Sequence, residues 1–178
     1  MWRRFNPFQS ALFRNFRKQY TTKRIRINER EFEIRQLNAG DIKNLLDVQR
    51  KVYEGETPWV RSAFLSELYS RHAHLYLGVL EENQMIGFMG VRVSLSDGHI
   101  TNIAVLPQFQ GLGIGTILLE ESEKFSRSLD CATMSLEVRR SNQDAQRLYR
   151  RFGYVSRKVL PQYYDENQED AIDMVKYL

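Results

Sequence analysis

Gln108-Phe109-Gln110-Gly111-Leu112-Gly113-Ile114-Gly115-Thr116 is the stretch whose reading decides the fold. It follows an extended apolar segment, Ile100 to Leu106 and then Pro107, and runs directly into a helical pattern. Three glycines alternating over five positions leave a turn without side chains, so a bulky anion can reach the backbone amides. The helix that follows presents unpaired N–H groups and a partial positive charge at its first turn. Strand, glycine turn and helix start together predict a cradle for a pyrophosphate.

The spacing narrows the ligand. A nucleotide P-loop needs Lys-Ser or Lys-Thr after its last glycine, whereas Thr116 follows Gly115 with no lysine between them. A dinucleotide fingerprint reads G-x-G-x-x-G; here the glycines read G-x-G-x-G, and the roughly 60 residues that follow are too few for a doubly wound sheet. The third pattern, Q/R-x-x-G-x-G/A, is matched by Gln110, Gly113 and Gly115, and it resembles the coenzyme A loop of the GCN5-related N-acetyltransferases (GNAT). Taken alone, the run could also be a plain glycine-rich turn.

The second half of the chain bears on that choice. Ala132 to Val138 alternates, with Met134, Leu136 and Val138 on one face and Thr133, Ser135 and Glu137 on the other. Glu137 is thus a carboxylate at the end of a strand, facing away from an apolar row. Asn142 to Phe152 reads as a helix closed by Gly153, and Asn142, Ala145, Gln146 and Tyr149 share one of its faces. A solvated glutamate and a half-buried core tyrosine would be the ordinary interpretation of either residue in isolation. Yet Leu136-Glu137-Val138-Arg139-Arg140-Ser141-Asn142, then Leu148-Tyr149 and Phe152-Gly153-Tyr154, resembles the ribosomal-protein-alanine N-acetyltransferase (RimI) branch of the GNAT family. Asn102-Ile103-Ala104-Val105 and Glu169-Asp170-Ala171-Ile172-Asp173-Met174 extend the likeness over about residues 30 to 178.

The resemblance implies roles by position. Glu137 would be the general base and Tyr149 the general acid. The backbone of Ile103, Ala104 and Val105 would pair with the pantetheine arm of acetyl-CoA. Gln110, Gly111, Leu112, Gly113, Ile114, Gly115 and Thr116 would hold its pyrophosphate, and Asn142 would also touch it. Gly111 stands where many relatives have a basic or polar residue. The implied chemistry is direct attack by a neutral amine on a thioester, with no covalent enzyme intermediate. A chain-terminal amine, with a reference pKa of about 7.7–8.0 against roughly 10.4 for lysine, needs only modest help to lose its proton. The implied acceptor is the N-terminal amine, alanine first, of a ribosomal protein. Alternatives of the same chemistry are lysine side chains or small amines; an alternative of another class is a non-catalytic acetyl-CoA-binding module.

Element order agrees with an α/β fold: a single GNAT-type domain, a mixed central sheet of about seven strands flanked by about four helices. Strands are expected at Glu31–Leu37, His74–Glu81, Met85–Val93, Gly98–Val105 and Ala132–Val138, with a final antiparallel pair near Val155–Leu160 and Ala171–Leu178. Turns are expected at Glu82-Asn83 and Ser96-Asp97-Gly98. Helices are expected at Asp41–Tyr53, with Asn38 or Asp41 as cap, and at about Trp59–Ser70. In related enzymes the fourth and fifth of these strands splay apart to admit the thioester. The loop from Pro161 to Asp170 is expected to border the acceptor groove, with Tyr163 and Tyr164 gripping a peptide and Asp165, Glu166, Glu169 and Asp170 favouring a basic one. Trp59 after Pro58 is expected to line the same groove.

The chain has 178 residues, enough for one ordinary domain, and a formal charge of +4. One cysteine, Cys131, excludes an internal disulfide and fits a reducing, cytoplasmic setting. No apolar run approaches the ~18 residues of a membrane span. His72 and His74 lack the partners of a metal site, and no metal is expected. Charge is uneven: the first 26 residues hold eight Lys or Arg and no acid, leaving 18 basic against 22 acidic residues in the remainder. Within them Phe8, Leu12, Phe13, Phe16 and Tyr20 fall on one helical face. Residues 1–29 therefore read as a basic aromatic extension to a domain spanning 30–178. Residues 1–26 suit docking on a membrane surface, a ribosome or a partner protein, or a mobile tail, with no sequence-specific nucleic-acid binding expected.

Overall fold

Eight strands and four helices account for most of residues 19–178, the part of the chain that the computed structural model describes. The strands are β1 (Lys23–Ile27), β2 (Arg30–Gln36), β3 (Ala73–Glu81), β4 (Gln84–Ser94), β5 (Asp97–Val105), β6 (Thr133–Arg139), β7 (Val155–Tyr164) and β8 (Glu169–Tyr177). The helices are α1 (Ile42–Val52), α2 (Arg61–Leu68), α3 (Ile114–Ser128) and α4 (Gln143–Arg151). The strands form one sheet in the order β1-β2-β3-β4-β5-β6-β8-β7. Every neighbouring pair is antiparallel except β5–β6, which is parallel and joined through α3.

The sheet has one strand more than the sequence suggests. β1 lies inside the stretch read as an extension and pairs with β2 from Lys23↔Ile34 to Ile27↔Arg30. Its basic residues alternate with Ile25 and Ile27, whose side chains pack on the core. The periodic charges hide an ordinary half-buried edge strand. Of the aromatic helical face expected over Phe8 to Tyr20, Phe8, Leu12, Phe13 and Phe16 lie outside the described residues, while Tyr20 precedes β1 in no helix and donates its hydroxyl to Glu121 at 2.9 Å.

Helices cover both faces of the sheet centre. β3 and β4 are therefore buried almost end to end, with Leu77, Val79, Phe88 and Met89 among the most enclosed side chains. β7 is the opposite case, an edge strand with nearly every residue exposed, interrupted by Pro161 where no ladder partner is lost. Asn38 rather than Asp41 caps the turn into α1. Its Oδ1 accepts from the Gly40 amide at 2.8 Å, and the Asp41 carboxylate accepts from the Asn38 amide at 3.0 Å.

Two irregularities shape the middle of the molecule. The β4–β5 turn is Leu95-Ser96, not Ser96-Asp97-Gly98; Leu95 takes φ +54° and is fully exposed, so Asp97 and Gly98 join β5. Farther along, Gly90 pairs with Asn102 but Val91 with Ile100, leaving Thr101 as the extra residue of a bulge. Beside this bulge β5 parts from β6. Their pairing covers Asp97↔Thr133, Gly98↔Met134 and His99↔Ser135 and then stops, although both strands continue.

Candidate active site

The opening between β5 and β6 leads into a cavity of about 150 Å³. Glu137, Tyr149, Asn142 and Ile103 line it, so strand end, helix face and parted strand meet as their sequence positions suggest. Trp59, on the α1–α2 connection, and Tyr164, the last residue of β7, line it as well. Ala104 and Val105 continue the parted edge of β5 beyond the cavity, and the glycine turn lies farther along the same direction. Tyr163 is half exposed and packs edge-on against Tyr164, with ring centroids 5.2 Å apart. Burial and then the carboxylates of Glu137 and Asp173 push its hydroxyl pKa up, and Tyr163, unlike Tyr164, is not among the residues that line the cavity.

The turn has the required backbone. Gly111 and Gly113 take φ +78° and +83°, and a side chain at either would meet nothing within 4 Å. The surface above the amides is open, while the left-handed backbone excludes other L residues at little strain. Gly113 precedes α3 with no side chain capping it, so the first-turn amides of Ile114, Gly115 and Thr116 point outward without partners from the helix itself. Gly115 faces Leu148 of α4, where an added Cβ would come within 3.2 Å, so its lack of a side chain serves packing. Gln110 turns back instead of outward: its Nε2 donates to the Val105 carbonyl at 2.9 Å and ties the turn to the end of β5. Leu112 packs on the core.

α4 starts where it does because Asn142 is its N-cap, its Oδ1 accepting from the Ala145 amide at 3.1 Å. Such a cap contributes about 1 kcal/mol and fixes the helix against the end of β6. Buried Gln146 donates to the carbonyls of Arg139 and Arg140, holding the same corner. This setting places Tyr149 in the cavity wall. Its hydroxyl has no hydrogen-bond partner among the described residues, and burial holds its pKa well above the phenol range. Tyr149 is therefore a neutral O–H donor at any working pH.

Several lining residues were not visible as site residues in the sequence. Thr101 and Asn102 reach the cavity because of the bulge, and Asn102 Nδ2 is buried without a partner among the described residues. Buried Gln49 grips the Trp59 backbone twice, donating to its carbonyl at 2.8 Å and accepting from its amide at 3.0 Å. Arg139 sits 3.9 Å above the Tyr164 ring and pairs with Glu166 and Glu169, while Arg140 pairs with Asp170. Three of the four loop acids expected to attract a basic peptide are thus already matched by arginines of the chain. Cys131 is buried, and its thiol is pushed up by burial, Asp97 and Asp130, away from nucleophile behaviour.

Residues 41–154 match the acetyltransferase (GNAT) family. The chain is 30% identical over 141 residues to a putative [ribosomal protein bS18]-alanine N-acetyltransferase of Bacillus subtilis, covering 79% of this chain and 92% of that one. It is 32% identical over 142 residues to the N-alpha-acetyltransferase RimI of Mycobacterium tuberculosis, covering 78% and 87%. The crystal structure of the ribosomal-protein-S18-alanine N-acetyltransferase from Escherichia coli superposes with a TM-score of 0.73 at 29% identity, covering 82% of this chain and 93% of the other. A parted pair of strands, a glycine turn before a helix and this extent of match lead to one conclusion: the chain belongs to the GNAT family of acetyltransferases.

Proposed function

We propose that this acetyltransferase moves the acetyl group of acetyl-CoA to the N-terminal amine, alanine first, of a ribosomal protein. The observation that carries the reading is the convergence of Glu137, Tyr149 and the unpaired edge of β5 on one cavity. Similarity to relatives named for ribosomal-protein-alanine acetylation supports the choice of acceptor.

The residues present fit acetyl-CoA. The bare amides from Gly111 to Thr116 suit a diphosphate, the open edge of Ile103, Ala104 and Val105 suits an amide-bearing arm, and Asn102 Nδ2 is a buried donor awaiting an acceptor. When bound, acetyl-CoA supplies the acyl carbon and a thiolate leaving group. Glu137 takes the proton from the acceptor amine, directly or through a water, because an ammonium has no lone pair to attack with. The Tyr149 O–H donates toward the departing sulfur. Amides of β5 and Asn102 Nδ2 steady the negative charge that develops on the acyl oxygen. Trp59, Tyr163 and Tyr164 flank the incoming peptide. Among the described residues no helix is long and apolar enough to cross a membrane. We assign the basic residues ahead of β1 (Arg3, Arg4, Arg14, Arg17 and Lys18) a docking role on a membrane surface, a ribosome or a protein, on charge alone, since Lys23 to Arg26 belong to the sheet.

The test is acetyl transfer from acetyl-CoA to an Ala-Arg-type ribosomal N-terminal peptide, beside polyamine and lysine-peptide controls. The expected result is transfer to the alanine amine at least about tenfold faster than to the controls. Preference for lysine or polyamine would overturn the acceptor, and tight cofactor uptake with no transfer would leave a binding module.

A further inference from the structure

Behind Glu137, on the face of β5 and β6 away from the apolar row, lies a chain of polar side chains with no role so far. His99 Nε2 is 3.1 Å from Glu137 Oε2, and His99 Nδ1 is 2.9 Å from Ser135 Oγ. Ser135 Oγ donates to Asp97 Oδ2 at 2.5 Å, and Thr133 Oγ1 donates to Asp97 Oδ1 at 2.7 Å. The parallel register produces this row: Asp97↔Thr133 and His99↔Ser135 are two residues apart, so all four side chains share one face.

Counting hydrogens fixes the imidazole. A carboxylate only accepts, so both hydroxyls give their protons to Asp97. Ser135 has one O–H, already spent, and can only accept from Nδ1. His99 therefore carries its proton on Nδ1, and an unprotonated Nε2 would set its lone pair against those of Glu137. The contact between Nε2 and Oε2 is thus built to hold one further proton.

We infer that His99 and Glu137 work as one base, the proton of the acceptor amine passing into the contact between them, while Ser135 and Asp97 hold the imidazole with Nδ1 protonated. The inference rests on the reading of Glu137 as the base. A lone carboxylate, with a reference pKa of about 4.3, holds an amine's proton poorly near neutrality; an imidazole behind it keeps that proton. The amine nitrogen loses one proton to the pair as its bond to the acyl carbon forms and the carbon–sulfur bond breaks. The sulfur gains one from Tyr149. The pair then releases its proton to water, and Tyr149 regains one from water.

The surroundings favour the loaded pair. Burial lowers the His99 pKa, but the hydrogen bond and charge of Glu137, with Asp97 behind, outweigh it, against opposition from Arg92, and the net direction is upward. Arg92, opposite His99 on β4, is itself engaged by Glu67 of α2. Asp173, opposite Glu137 on β8, is engaged by Arg157 of β7, and Tyr163 approaches from β7 as a neutral hydroxyl. His99 is a positioning residue, since it reaches the substrate only through Glu137.

Two measurements on the full chain test this. The first is an NMR titration of the three histidine rings, with His99 assigned by its loss in His99→Gln. His99 is expected to titrate above the ordinary 6.5 and to fall in Glu137→Gln, where burial and Arg92 are opposed by Asp97 only. The second is the pH profile of kcat/KM. The limb on which activity rises with pH is expected to move at least about one unit lower in His99→Gln, with a plateau about tenfold lower, and Ser135→Ala is expected to move part of the way. A His99 pKa indifferent to Glu137→Gln, or an unmoved limb in an active His99→Gln enzyme, would overturn the shared base alone. Failure of the wild-type chain to acetylate any amine would instead overturn the parent reading, and this with it.

Discussion

Gly113 concentrates two demands on one residue. Its φ of +83° is left-handed, and the helix it opens leaves bare amides for a phosphate. Gly113→Ala meets free space but strained backbone, a cost of about 1–2 kcal/mol, so about tenfold weaker acetyl-CoA binding by calorimetry is expected with the fold retained. Glu137→Gln keeps the size of the side chain and removes the proposed base. Turnover is expected to fall about 100-fold with acetyl-CoA affinity unchanged, read from steady-state kinetics beside calorimetry. Tyr149→Phe removes a hydroxyl that no described residue engages, so stability should hold while kcat falls about tenfold or more. Strand alternation and helix periodicity are local, so the faces of Glu137 and Tyr149 could be read from sequence, while the resemblance of the surrounding motifs singled the two out. His99 could not be singled out, because its partners Ser135 and Glu137 lie 36 and 38 residues away along the chain.

At the scale of elements, the β7–β8 hairpin is tied over the cavity by charge as well as by pairing. Arg139 lies on the Tyr164 ring and pairs with Glu166 and Glu169. The hydroxyl and then the amide of Ser141, followed by Arg139 and Asn167, hold the Glu169 carboxyl at about 2 against an ordinary 4.5. A depressed carboxyl stabilises the folded hairpin above its unfolded pKa and loses that contribution as pH falls through the folded one. Between about pH 4.5 and 2 the Ser141 amide should therefore lose hydrogen-exchange protection, corrected for intrinsic rate, before the core does; simultaneous loss would count against the tie. Arg139→Gln should raise KM for a peptide acceptor about tenfold with a smaller effect on kcat. The acidic loop looked in sequence like a free lure for cations, and only the fold shows Arg139 and Arg140 meeting it. The turn after β4 misled for a related reason: Asp97-Gly98 has turn composition, yet exposed Leu95 takes the strained position and Asp97 becomes the end of a polar row.

Over the whole molecule, an eight-stranded sheet with helices on both faces positions one opening. Its first edge begins earlier than composition suggests. Tyr20 and Lys23 both bond to Glu121 of α3, a buried carboxylate whose remaining ion-pair partner among the described residues is Lys124. We therefore propose that the folding unit starts near residue 19 and not at residue 30. A chain starting at 19 should keep the Tm of the full protein, whereas one starting at 30 should lose about 4 °C or more by calorimetry, having lost β1 and two partners of Glu121. Equal Tm values would return β1 to the extension.

What the residues determined unaided was whatever depends on near neighbours: the glycine turn, the alternation that aims Glu137 away from an apolar row, the helix face of Tyr149. Backbone torsion and side-chain periodicity act over a few positions, so they can be read along the chain. Which strands lie side by side, where β5 leaves β6, and that His99 stands against Glu137 were decided by register between distant segments. A shift of one residue would turn that whole polar row to the other face, and only packing of the complete sheet selects the pairing that brings it together.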